Sequence, residues 1–222
     1  RPEMKASGYQ DVDYVLTTRE IGRMIREAGI DLKEMPEELA DDIMGEYTGA
    51  GTIFGATGGV MEAAIRSAYF LVTGRELENL DIKPVRGLKG IKEAEIDIDG
   101  TKVKVAVAHS GAQARELLEK VQNQMATDGK CEYQFIEVMA CPGGCVGGGG
   151  QSWGSNMAKR ARRGEALYAE DKSMAHRRSH ENRSVQAVYE KFLEKPNSKK
   201  AHELLHTHYM KRSLVDGKVI NE

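Results

Sequence analysis

Two cysteines, Cys141 and Cys145, stand four residues apart in the run Glu137-Val138-Met139-Ala140-Cys141-Pro142-Gly143-Gly144-Cys145-Val146-Gly147-Gly148-Gly149-Gly150-Gln151. Thiolates are soft donors that suit zinc or iron. Six of the eleven positions from Cys141 to Gln151 are glycine, so the backbone can approach a bulky inorganic ligand without Cβ clashes. Two thiolates supply half of a four-cysteine set, and the remaining cysteine, Cys131, stands alone after Asp128-Gly129-Lys130, where it reads as an ordinary thiol. The pair is therefore open to three readings: iron–sulfur ligation, half of a zinc site, or two buried thiols in a glycine-rich turn. Zinc sites bring further closely spaced Cys or His; the group His202, His206 and His208 lies in the tail, with His202 and His206 at i, i+4 on one helix face. Donor softness favours iron–sulfur ligation.

Other candidates are weaker. The stretch Thr48 to Gly59 is a glycine-rich loop ahead of an apolar helix, a place where backbone N–H groups can meet an anion. It lacks the Gly-Lys-Ser/Thr ending of a phosphate loop, so it reads as the wall of a cavity. The basic run Lys159-Arg160-Ala161-Arg162-Arg163 has no interleaved aromatic residues for stacking bases; a solvated helix face or a contact with an acidic electron carrier is expected. Glu62 reads as an ion-pair partner.

Positioning these residues requires a core, and 222 residues with 40% hydrophobic content allow one. The 32 basic and 34 acidic residues leave a formal charge of −2, which argues against nucleic acid or a membrane surface as partner. No segment reaches the ~20 apolar residues of a membrane span. Three cysteines with a close pair suit a reducing compartment, and a cytoplasmic location is expected. The chain begins Arg1-Pro2-Glu3 and is expected to be a piece of a longer polypeptide.

Along the chain, Asp11 to Leu16 reads as a short strand and Thr17 or Thr18 as the cap of a helix from about Arg19 to Ala28, stopped by Gly29. Pro36-Glu37-Glu38 is expected to open a helical turn. A helix follows from Val60 to Val72. Glu93 to Ile98 and Lys102 to Ala108 form a hairpin about Asp99-Gly100. A helix from Gly111 to Met125 and a strand from Tyr133 to Val138 lead into the cysteine run. Apolar residues at helical spacing in 21–25 and 117–125 are expected core. Strands alternating with helices, with a ligand loop at a strand terminus, indicate an α/β fold. Beyond Trp153 a basic stretch leads to an amphipathic helix, Val185 to Leu193, and a last short helix from Ser198.

Residues 137 to 151 resemble the third signature of the [FeFe]-hydrogenase catalytic domain, Glu-x-Met-Ala-Cys-Pro-Gly-Gly-Cys-x-x-Gly-Gly-Gly-Gln-Pro. Arg1-Pro-Glu-Met, Asp13-Tyr-Val-Leu-Thr-Thr-Arg-Glu, Phe54-Gly-Ala-Thr-Gly-Gly-Val-Met-Glu-Ala-Ala and the ending Lys200-Ala-His-Glu-Leu-Leu-His-Thr-His-Tyr support the likeness, the last resembling the family's small-subunit region. The resemblance implies part of the iron-only hydrogenase catalytic-domain fold, a mixed sheet flanked by helices with a helical C-terminal tail, divided into residues 1–155 and 156–222. It implies a [4Fe-4S] cluster linked to a two-iron subcluster, the H-cluster, with Cys141 on the cubane and Cys145 as bridging thiolate. Met139 and Phe54 would line the two-iron pocket, and Gly143 and Gly144 would pack close to the cluster. His202 and His206 then look like docking contacts.

The reaction implied is 2H⁺ + 2e⁻ ⇌ H₂. The partners implied are an N-terminal part carrying the other cluster cysteines and an electron carrier, ferredoxin or a nicotinamide-linked subunit. The family's Thr-Ser-Cys-Cys-Pro and Met-Pro-Cys-x-x-Lys signatures are absent from this sequence, so it is not expected to turn over hydrogen alone. Ser152 stands where the family commonly has proline. The alternative is a non-catalytic iron–sulfur sensor or cluster-assembly relative of the same fold; such relatives tend to lose the glycine run and the methionine first, and both are intact here. A third reading is a separately made piece paired with a chain that brings the other ligands.

Overall fold

The computed structural model describes residues 2–5, 8–38, 45–206, 211–213 and 218–219. It divides into two compact units, one formed by Thr17–Arg183 and the other by Arg1–Leu16 with Ser184–Glu222.

In the larger unit, strand β1 (Ile91–Ile98) pairs antiparallel with β2 (Thr101–His109). Ile98 faces Thr101 across Asp99-Gly100, both at positive φ, the geometry that lets a two-residue turn follow strand twist. Helix α4 (Gly111–Asp128) then carries the chain to β3 (Phe135–Met139), which runs parallel to β2. The sheet order is β1-β2-β3, the mixed sheet expected. The second half of central β2, from Val105 to Ala108, is buried on both sides and so reads as an unbroken apolar run. Val105 and Val107 join Met61 and Ile65 of helix α3 (Gly59–Thr73) in one core. Ala106 and Ala108 join Leu117 of α4 and Tyr133 in a second.

Helix α1 (Thr18–Glu27) starts with a reciprocal cap, the Thr17 hydroxyl accepting from Glu20 N–H and the Glu20 carboxylate accepting from Thr17 N–H. The loop ahead of α3 is more ordered than expected: it forms a short helix, α2 (Gly49–Thr52), and a 3₁₀ turn, Ile53–Gly55. Helix α5 (Met157–Ser173) packs on α2.

Several expectations are corrected. Ile21 and Met24 are 42% and 50% exposed and no residue of α1 is buried, because an apolar stripe specifies a face but supplies no neighbour for it. In α4 only Leu117 is buried, while Leu118 and Met125 are half exposed. Residues 11–16 form no strand but a run of bends and irregular backbone. Residues 36–38 form no helix, and the continuation of that expected turn lies outside the described residues.

The smaller unit holds the rest of helix α6 (Arg183–Val188), which widens into a π turn over Tyr189–Leu193. Ser198 then caps α7 (Lys199–Leu205), its hydroxyl accepting from Ala201 N–H and donating to Leu193 O. These are the two helices expected in the tail. His208 and Tyr209 lie outside the described residues.

A buried ionic network fastens α5 to α3. Arg66 of α3 gives both terminal nitrogens to Asp171 of α5, at 2.8 and 2.9 Å, and one of them also to Glu62; Nε donates to Leu80 O. Arg86 closes on Glu62 and Asp81, and Arg177 on Asp81 and Asp171. Glu62 is thus the ion-pair partner expected. Burial alone would raise the Asp171 pKa, but Arg66 and Arg177 hold it below the ordinary value; Arg177 does the same for Asp81.

Arg66→Met leaves two buried carboxylates short of a partner and is expected to cost about 3–5 kcal/mol, read as a lower urea midpoint. Carboxylates with lowered folded pKa values stabilise above their unfolded values and lose that contribution as pH falls through the folded ones. Unfolding free energy is therefore expected to drop below about pH 4, and more shallowly in Asp171→Asn.

Candidate functional site

Strand β3 ends where Ser110 N–H donates to Met139 O at 2.8 Å, and the cysteine loop begins at once. Gly144 N–H donates to Cys141 O, and a 3₁₀ turn over Cys145–Gly147 follows. Gly148 N–H then donates to Cys145 O at 3.0 Å, and the Gln151 side chain to the same carbonyl at 3.2 Å. Cys141 is half-buried and Cys145 exposed. Geometry requires glycine at 144 and leaves little space at 148. Gly144 sits at φ +93°, and a Cβ there would stand 2.7 Å from Thr57 N and 2.8 Å from Gly55 O. A Cβ on Gly148 would stand 3.1 Å from Cys145 O and 4.0 Å from Cys141 Sγ. The Cys141 sulfur therefore lies beside bare backbone that any larger residue would fill.

The segment 53–58 arches against this loop. Thr57 N–H donates to Gly143 O at 3.0 Å. The Glu137 carboxylate, on β3 and four residues before Cys141, accepts from Gly58 N–H at 2.6 Å and Met61 N–H at 2.7 Å. It supplies the cap that Gly58, the residue before α3, has no side chain to give. Lys92 of β1, buried, donates to Thr57 O, Thr57 Oγ1 and Gly87 O. Burial pushes the Lys92 ammonium down to about 8, with the Glu137 charge opposing. Phe54 stands on the arch, 44% exposed, and Met139 is half-buried on β3. Cys141, Gly143, Gly144, Cys145 and Met139 thus form one continuous segment, and the arch carrying Phe54 is hydrogen-bonded to it.

Three arginines surround the loop. Arg19, at the start of α1, donates from Nη1 to Gly149 O and Gln151 O at 2.6 and 2.7 Å, its guanidinium lying over the Trp153 ring. Arg163 donates to Val146 O at 2.9 Å. Arg160 lies where a Gly147 Cβ would meet its Nε at 3.0 Å. The basic run is therefore divided: Lys159 and Arg162 are exposed, while Arg160 and Arg163 turn toward the loop. This corrects the solvated face expected of it. A cavity of about 560 Å³ lies behind, between α5 and the arch, lined by Thr57, Leu88, Gly143, Val146 and Tyr168.

Residues that the sequence left unnoticed include Lys92, Arg19 and the capping role of Glu137. A lysine at an inward position of an alternating strand, beside Ala94 and Ile98, is the signal that Lys92 offered. Cys131 packs beside the α4 core, away from the pair. Among the described residues, Glu62, Asp81 and Asp171 are the one group of three potential ligands within 4.8 Å of one another, and arginines occupy them. His202 and His206 approach through Nδ1 atoms at 2.6 Å on α7.

The donor set fits a bulky sulfur-rich group: two cysteine sulfurs, a loop of glycine backbone, and three arginines held against that loop. It fits in part, because two thiolates leave half of a four-thiolate set to be supplied.

Comparison with known proteins gives matches over nearly the whole chain. The family model for the iron only hydrogenase large subunit, C-terminal domain, covers residues 1–149, and that for the iron hydrogenase small subunit covers residues 157–212. The NADP-reducing hydrogenase subunit HndD of Solidesulfovibrio fructosivorans is 46% identical over 96% of this chain and 35% of its own length. The periplasmic [Fe] hydrogenase large subunit of Nitratidesulfovibrio vulgaris is 54% identical over 68% of this chain and 35% of its own. A cytosolic Fe-S cluster assembly factor, narfl, of Xenopus tropicalis is 31% identical over 94% and 44%. A variant of the [FeFe]-hydrogenase HydA1 from Chlamydomonas reinhardtii superposes with a TM-score of 0.70 at 41% identity, over 90% of this chain and 56% of that one. The chain spans about a third of the length of these curated hydrogenases.

Gly144→Ala combines positive φ with backbone contact and is expected to cost about 1–3 kcal/mol. Gly149→Ala, with nothing within 4 Å of its Cβ, is expected to stay within about 0.5 kcal/mol of the parent. Thermal unfolding of the two variants checks the contrast.

Proposed function

The chain belongs to the iron-only hydrogenase family, and from that premise we propose that it is the C-terminal portion of a hydrogen-converting subunit whose Cys141 and Cys145 hold the H-cluster. The observation that carries this is the placement of two accessible cysteines in one loop, with the side-chain-free backbone of Gly148 next to Cys141 Sγ. When bound, the cluster would relay electrons to or from the carrier and offer the metal site at which protons and hydrogen interconvert.

The chain's own residues have separate tasks. Half-buried Cys141 and exposed Cys145 would hold the cluster through their sulfurs, Cys141 on the cubane and Cys145 on the side shared with the two-iron unit. Arg19, Arg160 and Arg163 offset the negative charge of thiolates and sulfides. Phe54 and Met139 give the two-iron pocket an apolar wall that excludes water. Gly143 and Gly144 bring the loop onto the arch without side chains between them.

The remaining thiolates belong to a segment outside these 222 residues, and an electron carrier, ferredoxin or a nicotinamide-linked subunit, docks elsewhere on the parent polypeptide. Residues 1–155 form the end of the cluster domain and 156–222 the small-subunit-like tail. No described helix is long and apolar enough to cross a membrane, and three sparse cysteines suit the cytoplasm.

The second reading, a cluster-assembly relative without hydrogen chemistry, has the 31% likeness to narfl behind it. The intact Met139 and glycine run, with identities of 46% and 54% to hydrogenases, favour the enzyme.

The parent polypeptide, matured anaerobically with its iron cluster, is expected to evolve hydrogen from reduced viologen, and Cys145→Ala to fall to background. Normal hydrogen evolution by Cys145→Ala overturns the assignment; iron retained by the unmutated protein without hydrogen evolution supports the second reading.

A further inference from the structure

Lys92 is an odd occupant of its position. It lies on the inward face of β1 with Ala94 and Ile98 and is only 3% exposed. A buried ammonium is costly unless every donor is used. Here the three donors meet three acceptors: Thr57 O at 3.0 Å, Thr57 Oγ1 at 3.3 Å and Gly87 O at 3.0 Å.

Two of the three lie on the residue whose own N–H grips the cysteine loop. Thr57, 2% exposed, donates to Gly143 O, and Gly144 stands so close beneath that its Cβ would strike Thr57 N. The next peptide is held from the other side, Gly58 N–H donating to Glu137. The arch is therefore fixed on three sides, by Gly143 O, by Glu137 and by Lys92, and of these Lys92 alone comes from outside the cysteine-bearing segment.

We infer that Lys92 is a positioning residue for the cysteine site, whose ammonium pins the Thr57 peptide so that the arch and the loop bearing Cys141 and Cys145 keep a fixed separation. It touches neither cysteine. It acts through Thr57, which transmits its hold to Gly143. An apolar residue of equal length would fill the same space and leave Thr57 O and Gly87 O without a donor, so the arch would lift from the loop while the core beneath β1 stayed packed. The inference deepens the reading of the same site, but its test does not depend on whether iron binds.

Three cysteines make the test self-referencing, since Cys131 lies away from the arch beside α4. Alkylation of the apo form of the full polypeptide by iodoacetamide is followed peptide by peptide at Cys141, Cys145 and Cys131. In Lys92→Met the rates at Cys141 and Cys145 are expected to rise about fivefold relative to Cys131, the scale of one lost hydrogen bond. Lys92→Arg, which keeps the charge and the donors, is expected to bring the ratio back toward that of the unmutated protein.

Rates that rise equally at all three cysteines indicate general loosening and overturn the inference, as do unchanged rates. Thr57→Ala, which removes one acceptor and leaves the lysine in place, keeps the inference open to refutation if Lys92→Met fails to fold. It is expected to raise the ratio about twofold, from the loss of the weakest of the three bonds; no change in the ratio counts against the role of Lys92.

Discussion

The carboxylate of Glu137 bonds the N–H groups of Gly58 and Met61 at 2.6 and 2.7 Å, and this contact makes one site out of two distant parts of the chain. Helix α3 opens on a glycine that has no side chain to cap it. Its first turn therefore presents unsatisfied N–H groups and the positive end of a dipole, and a buried anion from β3 is what they need. The partners are 79 and 76 residues apart. Because Glu137 lies four residues before Cys141, capping the helix also sets where the cysteine loop leaves the sheet.

Rigidity then spreads outward by different means. Apolar packing on both faces of β2 fixes the sheet between α3 and α4. The arginine–carboxylate network fixes α5 on α3, and α5 in turn carries Arg163 to the carbonyl of Val146. Such a network is poor evidence of extra stability, because desolvation offsets much of the attraction. Its value here is directional: bidentate bonds accept one arrangement of the helices. The loop needs that precision, since its glycines give it no side chains with which to hold its own shape.

Much of this was legible in the sequence, and what was not has a common cause. Asp99-Gly100 between alternating segments specified its hairpin, Thr17 or Thr18 ahead of an apolar stripe specified a helix start, and the glycine run after a strand specified a loop. Each is a local signal. The bonds by which Lys92, Arg19 and Glu137 join the site reach partners 35 to 132 residues away, so no neighbouring residue announces those bonds. The apolar stripe of α1 misled for the converse reason: periodicity names a face without naming what covers it. The inward turn of Arg160 and Arg163 was hidden because a run of basic residues looks the same whether solvent or a loop of backbone carbonyls lies beside it.

The central claim is that Cys141 and Cys145 are joint ligands of one iron–sulfur cluster. Cysteine footprinting of the cluster-loaded parent polypeptide under anaerobic conditions, with iron and sulfide measured on the same sample, tests it most directly. The account predicts that loading protects Cys141 and Cys145 together, in proportion to bound iron, while Cys131 is alkylated at its apo rate. Full iron content with Cys141 or Cys145 still reacting as in the apo protein would contradict it.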